Sequence, residues 1–265
     1  MWRGLYTAAT GMITESRRTD VIANNLANVN TPGFKKDEAV TSDFEPMLIR
    51  RIDDQREKDV TTFKGFSLGN GAPVVGQLGL GSQVSDIVTD YSQGSMQTTG
   101  NPMDLAIQGN GFFIIETPQG ERYTRDGNFY KSATNRLVTV NGQNVLDDRG
   151  RPIDLPPEAV HVTINENGAI SADGNPVARL GFVEFAAGRD AVAKEGASLY
   201  RAMEGQQPIP GTGSIQQGAL ERSNTEIVSE MVNMIANYRS YEASSKAVVT
   251  QDNLLDKSVN EVGRL

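Results

Sequence analysis

Cysteine is absent from the 265 residues, and long apolar runs are absent as well. Without cysteine the protein has no disulfides, no thiolate metal site and no cysteine nucleophile. This fits a cytosolic protein, and it equally fits one that leaves the cell unfolded and must not become cross-linked. Because no apolar run approaches the roughly 18–20 residues that span a bilayer, we expect no direct membrane insertion.

The charge and the first residues argue against two further classes. The formal net charge is −8, which disfavours a nucleic-acid partner because phosphates repel an acidic protein. The N-terminal stretch MWRGLYTAATGM lacks the long apolar segment and the cleavage site of a secretory signal, so we expect no cleaved signal peptide. Sparse aromatic residues and frequent glycine favour turns and short strands over a dense helical core.

Residues 3–28 predict a helix that ends at Pro32 and Gly33. Small and partly polar side chains recur at steps of four and three, which is the spacing of one helix face. Proline disfavours helix in the residue before it, and glycine relaxes the turn that follows. The positions on this face are Leu5, Ala9, Met12, Ser16, Thr19, Ala23 and Leu26.

Four asparagines crowd the end of this helix, although asparagine is a mediocre helix former. For Asn28 and Asn30, just ahead of the proline, capping of the helix end and contact with another copy of the chain are both open. Asn24 and Asn25 lie too early to be caps. Because polar residues at packed helix positions fix register and partner choice, we expect them to hydrogen-bond neighbouring copies.

Between about residues 105 and 205, short apolar segments alternate with turn pairs such as Asn141-Gly142. Asn-Gly and Asp-Gly supply the backbone angles of two-residue hairpins, and the segments between them hold the β-branched and aromatic residues of strands. No helix-length insertion separates them, so we expect an antiparallel meander. Residues 37–75 carry few regular signals, and we interpret them as an extended linker.

The last segment predicts a long helix over 223–260. Ser223 and Glu226 form a capping box, with Ser223 as the N-cap. A helix of this length extends about 57 Å, so its seam must meet another helix, and the N-terminal helix is the obvious partner. The heptad seam is Ile227, Met231, Met234, Tyr238, Tyr241, Ser245, Val248, Asp252, Leu255, Val259 and Val262.

The predicted fold class is therefore α+β, with paired N- and C-terminal helices forming a coiled coil and a central antiparallel β-rich domain. Residues 1–36 and 218–265 are the two halves of the coiled-coil domain. Residues 37–75 link the first half to a β-rich outer domain at 76–215.

No residue pattern predicts catalysis, a cofactor or a metal ion. His161 is the only histidine, and a strand position explains it without a catalytic role. The glycine-rich stretch at 69–81 matches no phosphate-binding motif. The adjacent pairs Asp53-Asp54 and Asp147-Asp148 point apart in a strand or helix, so neither makes an acid/base pair or a metal cage. We expect no enzyme.

Three segments resemble the bacterial flagellar rod and hook proteins, the axial family of the basal body. ANNLANVNTPGFKK (23–36) is similar to the N-terminal motif of that family. LAIQGNGFFIIETPQGERYTRDGNFYKSATNRLVTVNGQNVL (105–146) is similar to its central segment, and residues 218–257 to its C-terminal segment. The motif and the helix seam together give the expected subunit-interface residues: Asn24, Asn25, Ala27, Asn28, Thr31, Gly33, Phe34, Ile227, Met231, Met234, Tyr238, Tyr241, Val248 and Leu255.

The resemblance implies a structural role. Family members polymerise helically into a hollow drive shaft that joins motor to hook and serves as an export channel. The implied partners are copies of the chain, other rod, hook and ring proteins, and the flagellar type III export apparatus. The implied location is the basal body within the cell envelope. Length favours a rod subunit over a hook subunit, while the proximal and distal rod types stay open.

Three other interpretations remain at this point. One is a flagellar hook or hook-junction subunit of the same family. The second is a soluble binding module whose coiled coil dimerises without polymerising. The third is a secreted wall-modifying enzyme, for which the lone histidine gives no support. For the rod subunit we expect the two chain ends to be disordered in the monomer and ordered on assembly.

Overall fold

The computed structural model describes residues 2–44, 47–50, 62–63, 66–67, 74–159, 161–185, 191–196 and 198–262. The chain forms two compact units. The terminal unit comprises Met1–Val21, Ala39–Ile87 and Asn233–Leu265. The β-rich unit comprises Ile22–Glu38 and Val88–Val232. These boundaries differ from the predicted ones, because the end of the N-terminal helix and the start of the C-terminal helix belong to the β-rich unit.

Two helices lie at the ends of the chain, as the sequence predicts. Helix α1 spans Trp2–Ala27, and helix α2 spans Ile227–Lys257 and continues as a short π-helical segment, Ser258–Val262. Just after the end of α1, the Asn28 backbone amide still donates to the Asn24 carbonyl. The chain then leaves the helix axis ahead of Pro32. The α+β class with terminal helices around a β-rich centre is confirmed.

The predicted N-cap of α2 is wrong. The Glu230 amide donates to the carbonyl of Glu226 at 3.0 Å, so the helix begins after Glu226 and four residues later than expected. The Ser223 hydroxyl instead accepts from the Thr225 amide at 3.1 Å. The preceding residues up to Glu221 are in a strand, and the side chain of Asn224 bonds to the Lys36 amide and the Asp90 carbonyl, so this stretch packs on the β-rich unit before the helix begins.

The described residues within 37–89 form three pairs of strands. The described residues of the expected linker at 37–75 thus lie largely in strands. The sequence did not reveal these strands because they lack the hairpin turn signals of the central segment. The pairs are β1 (Asp37–Phe44) with β6 (Gly81–Thr89), β2 (Met47–Arg50) with β5 (Val74–Leu78), and β3 (Thr62–Phe63) with β4 (Phe66–Ser67).

The β-rich unit is built around a nine-stranded antiparallel sheet with smaller sheets beside it. Strands of this sheet are β9 (Phe112–Thr117), β10 (Gly120–Thr124), β11 (Phe129–Lys131), β12 (Leu137–Thr139), β13 (Asn144–Val145), β17 (Phe182–Phe185), β18 (Val192–Glu195), β19 (Leu199–Ala202) and β20 (Pro208–Pro210). The order is β11-β12-β13-β9-β10-β19-β18, with β17 also on β9 and β20 on β17. The predicted antiparallel β-structure is confirmed.

Three further sheets complete the unit. A three-stranded sheet contains β14 (Val162–Ile164), β15 (Ala169–Ala172) and β16 (Asn175–Arg179). Two strand pairs bring the C-terminal segment back to the centre of the chain. They are β8 (Leu105–Gln108) with β21 (Ser214–Gln217), and β7 (Met96–Thr98) with β22 (Ala219–Glu221).

The apolar core lies in the β-rich unit. Its larger cluster packs Phe113 edge-on against Phe129, and a second cluster packs Phe112 against Tyr200. In the terminal unit, by contrast, Ala8 is the only apolar side chain that is fully buried among the residues whose exposure is described. The β-rich unit therefore has the means to fold by itself, whereas the described residues of the terminal unit form no apolar core.

Candidate subunit interface

The expected interface motif of residues 23–36 has an inner and an outer part. Asn25 is 2% exposed. Its Nδ2 donates to the Asp37 carbonyl at 2.8 Å, and its Oδ1 accepts from the Asp37 amide at 2.9 Å. The carboxamide thus ties the end of α1 to the start of β1 within one chain. A contact of Asn25 with another copy stays a prediction, and it would require these two bonds to break.

Gly33 and Phe34 also have partners inside the β-rich unit. The Gly33 amide donates to the Glu221 carbonyl at 2.8 Å, and the residue has a φ of +66°. A Cβ at this position would lie 2.4 Å from the carbonyl carbon of Arg125. Phe34 is fully buried, and Lys194 Nζ lies 3.9 Å from the centre of its ring. Glycine is required here for both the backbone angle and the space.

The outer part of the motif is the exposed end of α1. Asn24 and Ala27 are exposed, so they are available to another molecule. Asn28 acts as a cap: its Nδ2 donates to the Asn24 carbonyl at 2.9 Å, and its Oδ1 accepts from the Thr31 hydroxyl at 3.2 Å. The side-chain carboxamide of Asn28 therefore caps the helix end, which is one of the two roles left open by the sequence.

A buried ion cluster joins all three of the segments that carry the family resemblance. Lys35 Nζ lies 2.6 Å from Glu221 Oε1, and Arg125 Nη1 lies 3.2 Å from Glu221 Oε2. Burial lowers the pKa of Lys35, and it lowers the pKa of Arg125, in both cases against the attraction of Glu221. Sequence reasoning missed this cluster, because no local pattern links charges that are 96 and 186 residues apart.

Helix α2 turns one face inward at the spacing of a heptad seam, but this face is more polar than predicted. Of the predicted seam, Met234, Val248 and Leu255 are half-buried, while Ile227, Met231, Tyr238 and, to a lesser degree, Tyr241 are exposed in the single chain. The less exposed positions of α2 are Glu230, Met234, Asn237, Ser244, Ser245, Val248, Gln251 and Leu255.

In the terminal unit the two helices meet through small and polar side chains. Asn237 Nδ2 donates to the Glu15 carbonyl at 2.7 Å and contacts the Thr19 hydroxyl at 2.6 Å. A Cβ on Gly11 would lie 3.3 Å from Ser244 Oγ, and a Cβ on Gly4 would lie 3.1 Å from Gln251 Nε2. These contacts run antiparallel, and they bury little apolar surface.

A second side of α1 contacts the strands of the same unit through threonines. The Thr7 hydroxyl lies 2.8 Å from the Leu80 carbonyl, and the Thr14 hydroxyl donates to the Ser82 carbonyl at 2.9 Å. Thr10 leaves no room for a Cβ on Gly81. Helix α1 therefore has polar contacts on both of these sides, and hydrophobic burial contributes little to its position.

A second stripe of α2 is apolar and exposed. These side chains follow helical spacing, and Tyr238 is 67% exposed. Further along the helix the stripe becomes charged, with an ion pair between Lys246 and Glu242 at 2.7 Å. We call the apolar part the outer stripe; it consists of Val228, Met231, Val232, Ile235 and Tyr238.

The backbone of His161 and the side chain of Asp147 have structural partners. The His161 amide donates to Asp173 Oδ1 at 2.9 Å, and its carbonyl accepts from the Asp173 amide. Asp147 holds a turn, accepting from the Arg149 and Arg151 amides at 2.9 and 2.8 Å. Within the described ranges no three acidic or histidine side chains could hold a metal ion. Asp53-Asp54 and residues 69–73 lie outside the described residues.

Neither α1 nor α2, as far as their residues are described, contains a stretch that is long and apolar enough to cross a membrane.

Three family models match the chain, and they match the three segments that carried the resemblance. The model of the flagella basal body rod protein matches residues 5–35. The D1-domain model of the flagellar hook protein FlgE/F/G matches residues 106–172. The C-terminal model of the flagellar basal body rod FlgEFG protein matches residues 216–261.

Curated relatives extend the similarity over the whole chain. The flagellar basal-body rod protein FlgG of Bacillus subtilis is 38% identical over 277 residues, covering 98% of this chain and 99% of the relative. The flagellar basal-body rod protein FlgF of Caulobacter vibrioides is 35% identical, with complete coverage of both. The flagellar hook-basal body complex protein FlhO of Bacillus subtilis is 29% identical over the full length of both.

These matches confirm the family resemblance and the expected structural role in the rod. They also overturn the interpretation as an enzyme, because the family is not an enzymatic one. The chain belongs to the family of flagellar basal-body rod proteins, and its place is the basal body.

Proposed function

We propose that copies of this chain polymerise helically through their terminal helices into a hollow shaft that transmits torque from motor to hook. The terminal helices of neighbouring copies form a coiled-coil layer of this shaft, and the β-rich unit is part of its wall. The observation that carries the proposal is the outer stripe of α2, which stays exposed in the single chain. A contiguous exposed apolar stripe is typical of a surface that another molecule covers.

Helix α2 has two heptad seams that share one line of residues. A helix that packs against two other helices requires such a pair of seams. The shared line, Met234, Tyr241, Val248 and Leu255, belongs to both heptads. On one flank Asn237, Ser244 and Gln251 lie toward α1 of the same chain. On the other flank Ile227, Met231 and Tyr238 are exposed. Two offset seams let each helix pack on both sides, which favours a closed layer of helices over an isolated pair.

The occupant of the outer stripe is a terminal helix of a second copy. Burying a side chain the size of valine, isoleucine or tyrosine contributes about 1.5–3 kcal/mol when it is fully removed from water. The five residues of the stripe are half to mostly exposed, so their burial against a second copy would contribute on the order of 5 kcal/mol to the free energy of association. Head-to-tail contacts between different surfaces produce open helical polymers, and family membership makes another rod subunit the chemically matched neighbour.

The weak internal packing of the terminal unit supports order that depends on assembly. Its helices meet through Asn237, Ser244 and Gln251, and Ala8 is the single fully buried apolar side chain among residues of described exposure. Helix ordering costs backbone entropy that an apolar interface normally offsets. We infer that the parts of both chain ends that lie in the terminal unit, residues 2–21 and 233–262, are largely disordered in dilute monomer and become rigid in the shaft, which prevents premature polymers.

In the family motif, Asn24 and Ala27 are the residues we assign to contacts between copies, because they are exposed at the end of α1. Asn25, Gly33 and Phe34 act in the fold of the subunit, and Asn28 and Thr31 act in the cap. The other partners are neighbouring rod, hook and ring proteins and the flagellar type III export apparatus. This part of the proposal rests on family membership.

The test is a matched pair of substitutions in α2. Ile235→Asp places a charge in the outer stripe, and Ser240→Asp places the same charge on an exposed position away from it. Ile235→Asp should abolish filament formation in concentrated protein and swimming in complemented cells, while Ser240→Asp retains both. Thermal unfolding of the β-rich unit should be unchanged in both. Normal swimming of the Ile235→Asp strain would refute the proposed interface.

A further inference from the structure

Glu221 lies at the centre of a cluster in which two buried cations share one carboxylate. The side chains of Lys35, Arg125 and Glu221 are 1%, 5% and 0% exposed. Glu221 Oε1 accepts from Lys35 Nζ at 2.6 Å and from the Gly94 amide at 2.9 Å. Its Oε2 accepts from Arg125 Nη1 at 3.2 Å. Removal of Glu221 would leave two buried positive charges with no carboxylate in the cluster, an arrangement that is strongly unfavourable.

Each charge of the cluster comes from a different part of the chain. Lys35 follows the N-terminal helix, Arg125 follows strand β10, and Glu221 ends strand β22. The Lys35–Glu221 bond closes 186 residues of chain, and the Arg125–Glu221 bond closes 96. Loops of this length cost closure entropy before their contacts form, so such contacts form late in folding.

Asn224 adds a second connection between the same two ends. Its Oδ1 accepts from the Lys36 amide at 2.8 Å, and its Nδ2 donates to the Asp90 carbonyl at 2.8 Å. The Gly33 amide donates to the Glu221 carbonyl at 2.8 Å. These backbone and amide bonds satisfy groups that would otherwise be buried without partners.

Lys194 holds the N-terminal segment from the side of the large sheet. Its Nζ donates to the Lys35 carbonyl at 2.7 Å and to Asp37 Oδ2 at 2.9 Å. The same ammonium lies over the Phe34 ring. The N-terminal segment is thus fixed by groups from the sheet and from the C-terminal segment together.

We propose that residues 33–37 and 219–224 are a closing latch of the β-rich unit, with the Lys35–Glu221–Arg125 cluster at its centre. The unit reaches its folded state only when both segments dock, so folding waits for nearly the whole chain. A chain that has presented only its first two hundred residues lacks the carboxylate that permits Lys35 and Arg125 to be buried. The family motif therefore acts in subunit folding as well as in assembly.

Pulse-labelled hydrogen exchange during refolding of the full-length protein tests the order of events. Peptides covering 22–38, 105–145 and 219–225 should gain full protection in one common, final phase. Full protection of 105–145 in a phase before 219–225 would overturn the proposal, because the central strands would then close without the latch.

Substitutions in the latch test its centre. Glu221→Gln keeps the shape of the side chain and removes its charge; the midpoint of thermal unfolding of the β-rich unit should fall by roughly 10 °C. The segment 22–38 should exchange at least tenfold faster than in the unaltered protein. Glu226→Gln, at an exposed carboxylate five residues away, is the matched control and should change neither quantity. Unaltered protection of 22–38 in Glu221→Gln would refute the latch.

Lys35→Met tests the latch if Glu221→Gln fails to fold. It leaves one cation and one carboxylate in the cluster, so the protein should fold. Its segments 22–38 and 105–145 should lose protection together, because the central strands stay closed only while the latch is docked. Loss of protection confined to 22–38 would contradict the proposal, because the central strands would then stay closed without the latch. Because every measurement uses dilute monomer, the outcome is independent of whether the outer stripe mediates polymerisation.

Discussion

The side chain of Asn25 satisfies both hydrogen-bonding groups of the Asp37 backbone, donating to its carbonyl at 2.8 Å and accepting from its amide at 2.9 Å. The bonds join the last turns of α1 to the first residue of β1 across the turn at 28–36. They explain why a residue with poor helix propensity stands in a helix. No other side chain of similar size offers a donor and an acceptor in this geometry.

Asn25→Ala should destabilise the β-rich unit by about 2 kcal/mol, because it leaves buried backbone groups of Asp37 without partners. Thermal unfolding followed by near-ultraviolet circular dichroism measures the change. Asn24→Ala is the matched control: Asn24 is exposed, so stability should be retained while assembly is impaired. Equal stability of both variants would show that the Asn25 bonds contribute nothing.

Gly33→Ala should destabilise the β-rich unit by about 3 kcal/mol or more, because both the backbone angle and the space exclude a side chain. The added Cβ would lie 2.4 Å from the carbonyl carbon of Arg125. Gly142→Ala separates the two causes, since Gly142 has a φ of +77° and nothing within 4 Å of a Cβ. Denaturant unfolding should give about 1 kcal/mol for Gly142→Ala. Similar losses in both variants would refute the clash.

Asp147 should make the β-rich unit sensitive to acid. Burial alone would raise the pKa of Asp147, but hydrogen bonds from Arg151 and Arg149 prevail and lower it below its usual 3.8. The carboxylate then binds a proton less readily in the folded state than in the unfolded state. Its stabilisation is therefore present above about pH 3.8 and is lost as pH falls through the lower folded-state pKa.

Denaturant unfolding of the unaltered protein and of Asp147→Asn measures this contribution. The difference in unfolding free energy should be constant between pH 7 and 5 and should shrink below pH 4. Asp148→Asn, at the exposed neighbouring carboxylate, is the control and should follow the unaltered protein. A difference that persists unchanged at pH 2.5 would contradict the assignment.

Asn237→Leu should increase the helicity of the dilute monomer. Asn237 Oδ1 is buried with no hydrogen-bond partner among the described residues, and leucine removes this cost while adding apolar contact. We expect about 1 kcal/mol of added stability in the terminal unit, seen as stronger ellipticity at 222 nm. Ser240→Leu, at an exposed position, should have a smaller effect. A loss of helicity in Asn237→Leu would show that its bonds to Glu15 and Thr19 dominate.

Local patterns predicted α1 and the strands of the central segment well. The 4-3 spacing and the Pro32-Gly33 stop gave the extent of α1 to within one residue at each end. The turn pairs of the central segment gave antiparallel strands, and Gly120 and Gly142 have the positive φ angles that such turns require. These signals depend on neighbours within a few residues, so one sequence is enough to reveal them.

The start of α2 and its inward face were predicted less well. Ser223 carries a valid capping pattern, but pairing of β22 with β7 and the bonds of Asn224 keep this stretch out of the helix. Of the heptad assigned by apolar content, Ile227, Met231 and Tyr238 are exposed. Asn237 and Gln251, outside that heptad, lie toward α1. Apolar content alone cannot tell which of two seams a helix uses within its own chain.

The sequence by itself determined the family, the terminal helices and the β-rich centre, because periodicity, turn residues and family segments are all local properties. Only the tertiary structure decided that Lys35, Arg125 and Glu221 form one buried cluster. It also decided that the Asn25 side chain hydrogen-bonds the Asp37 backbone and that α2 leaves its apolar stripe exposed. The physical reason is distance along the chain. Contacts between residues separated by tens to hundreds of positions leave no periodic trace, and they form only when strands and helices have been brought together.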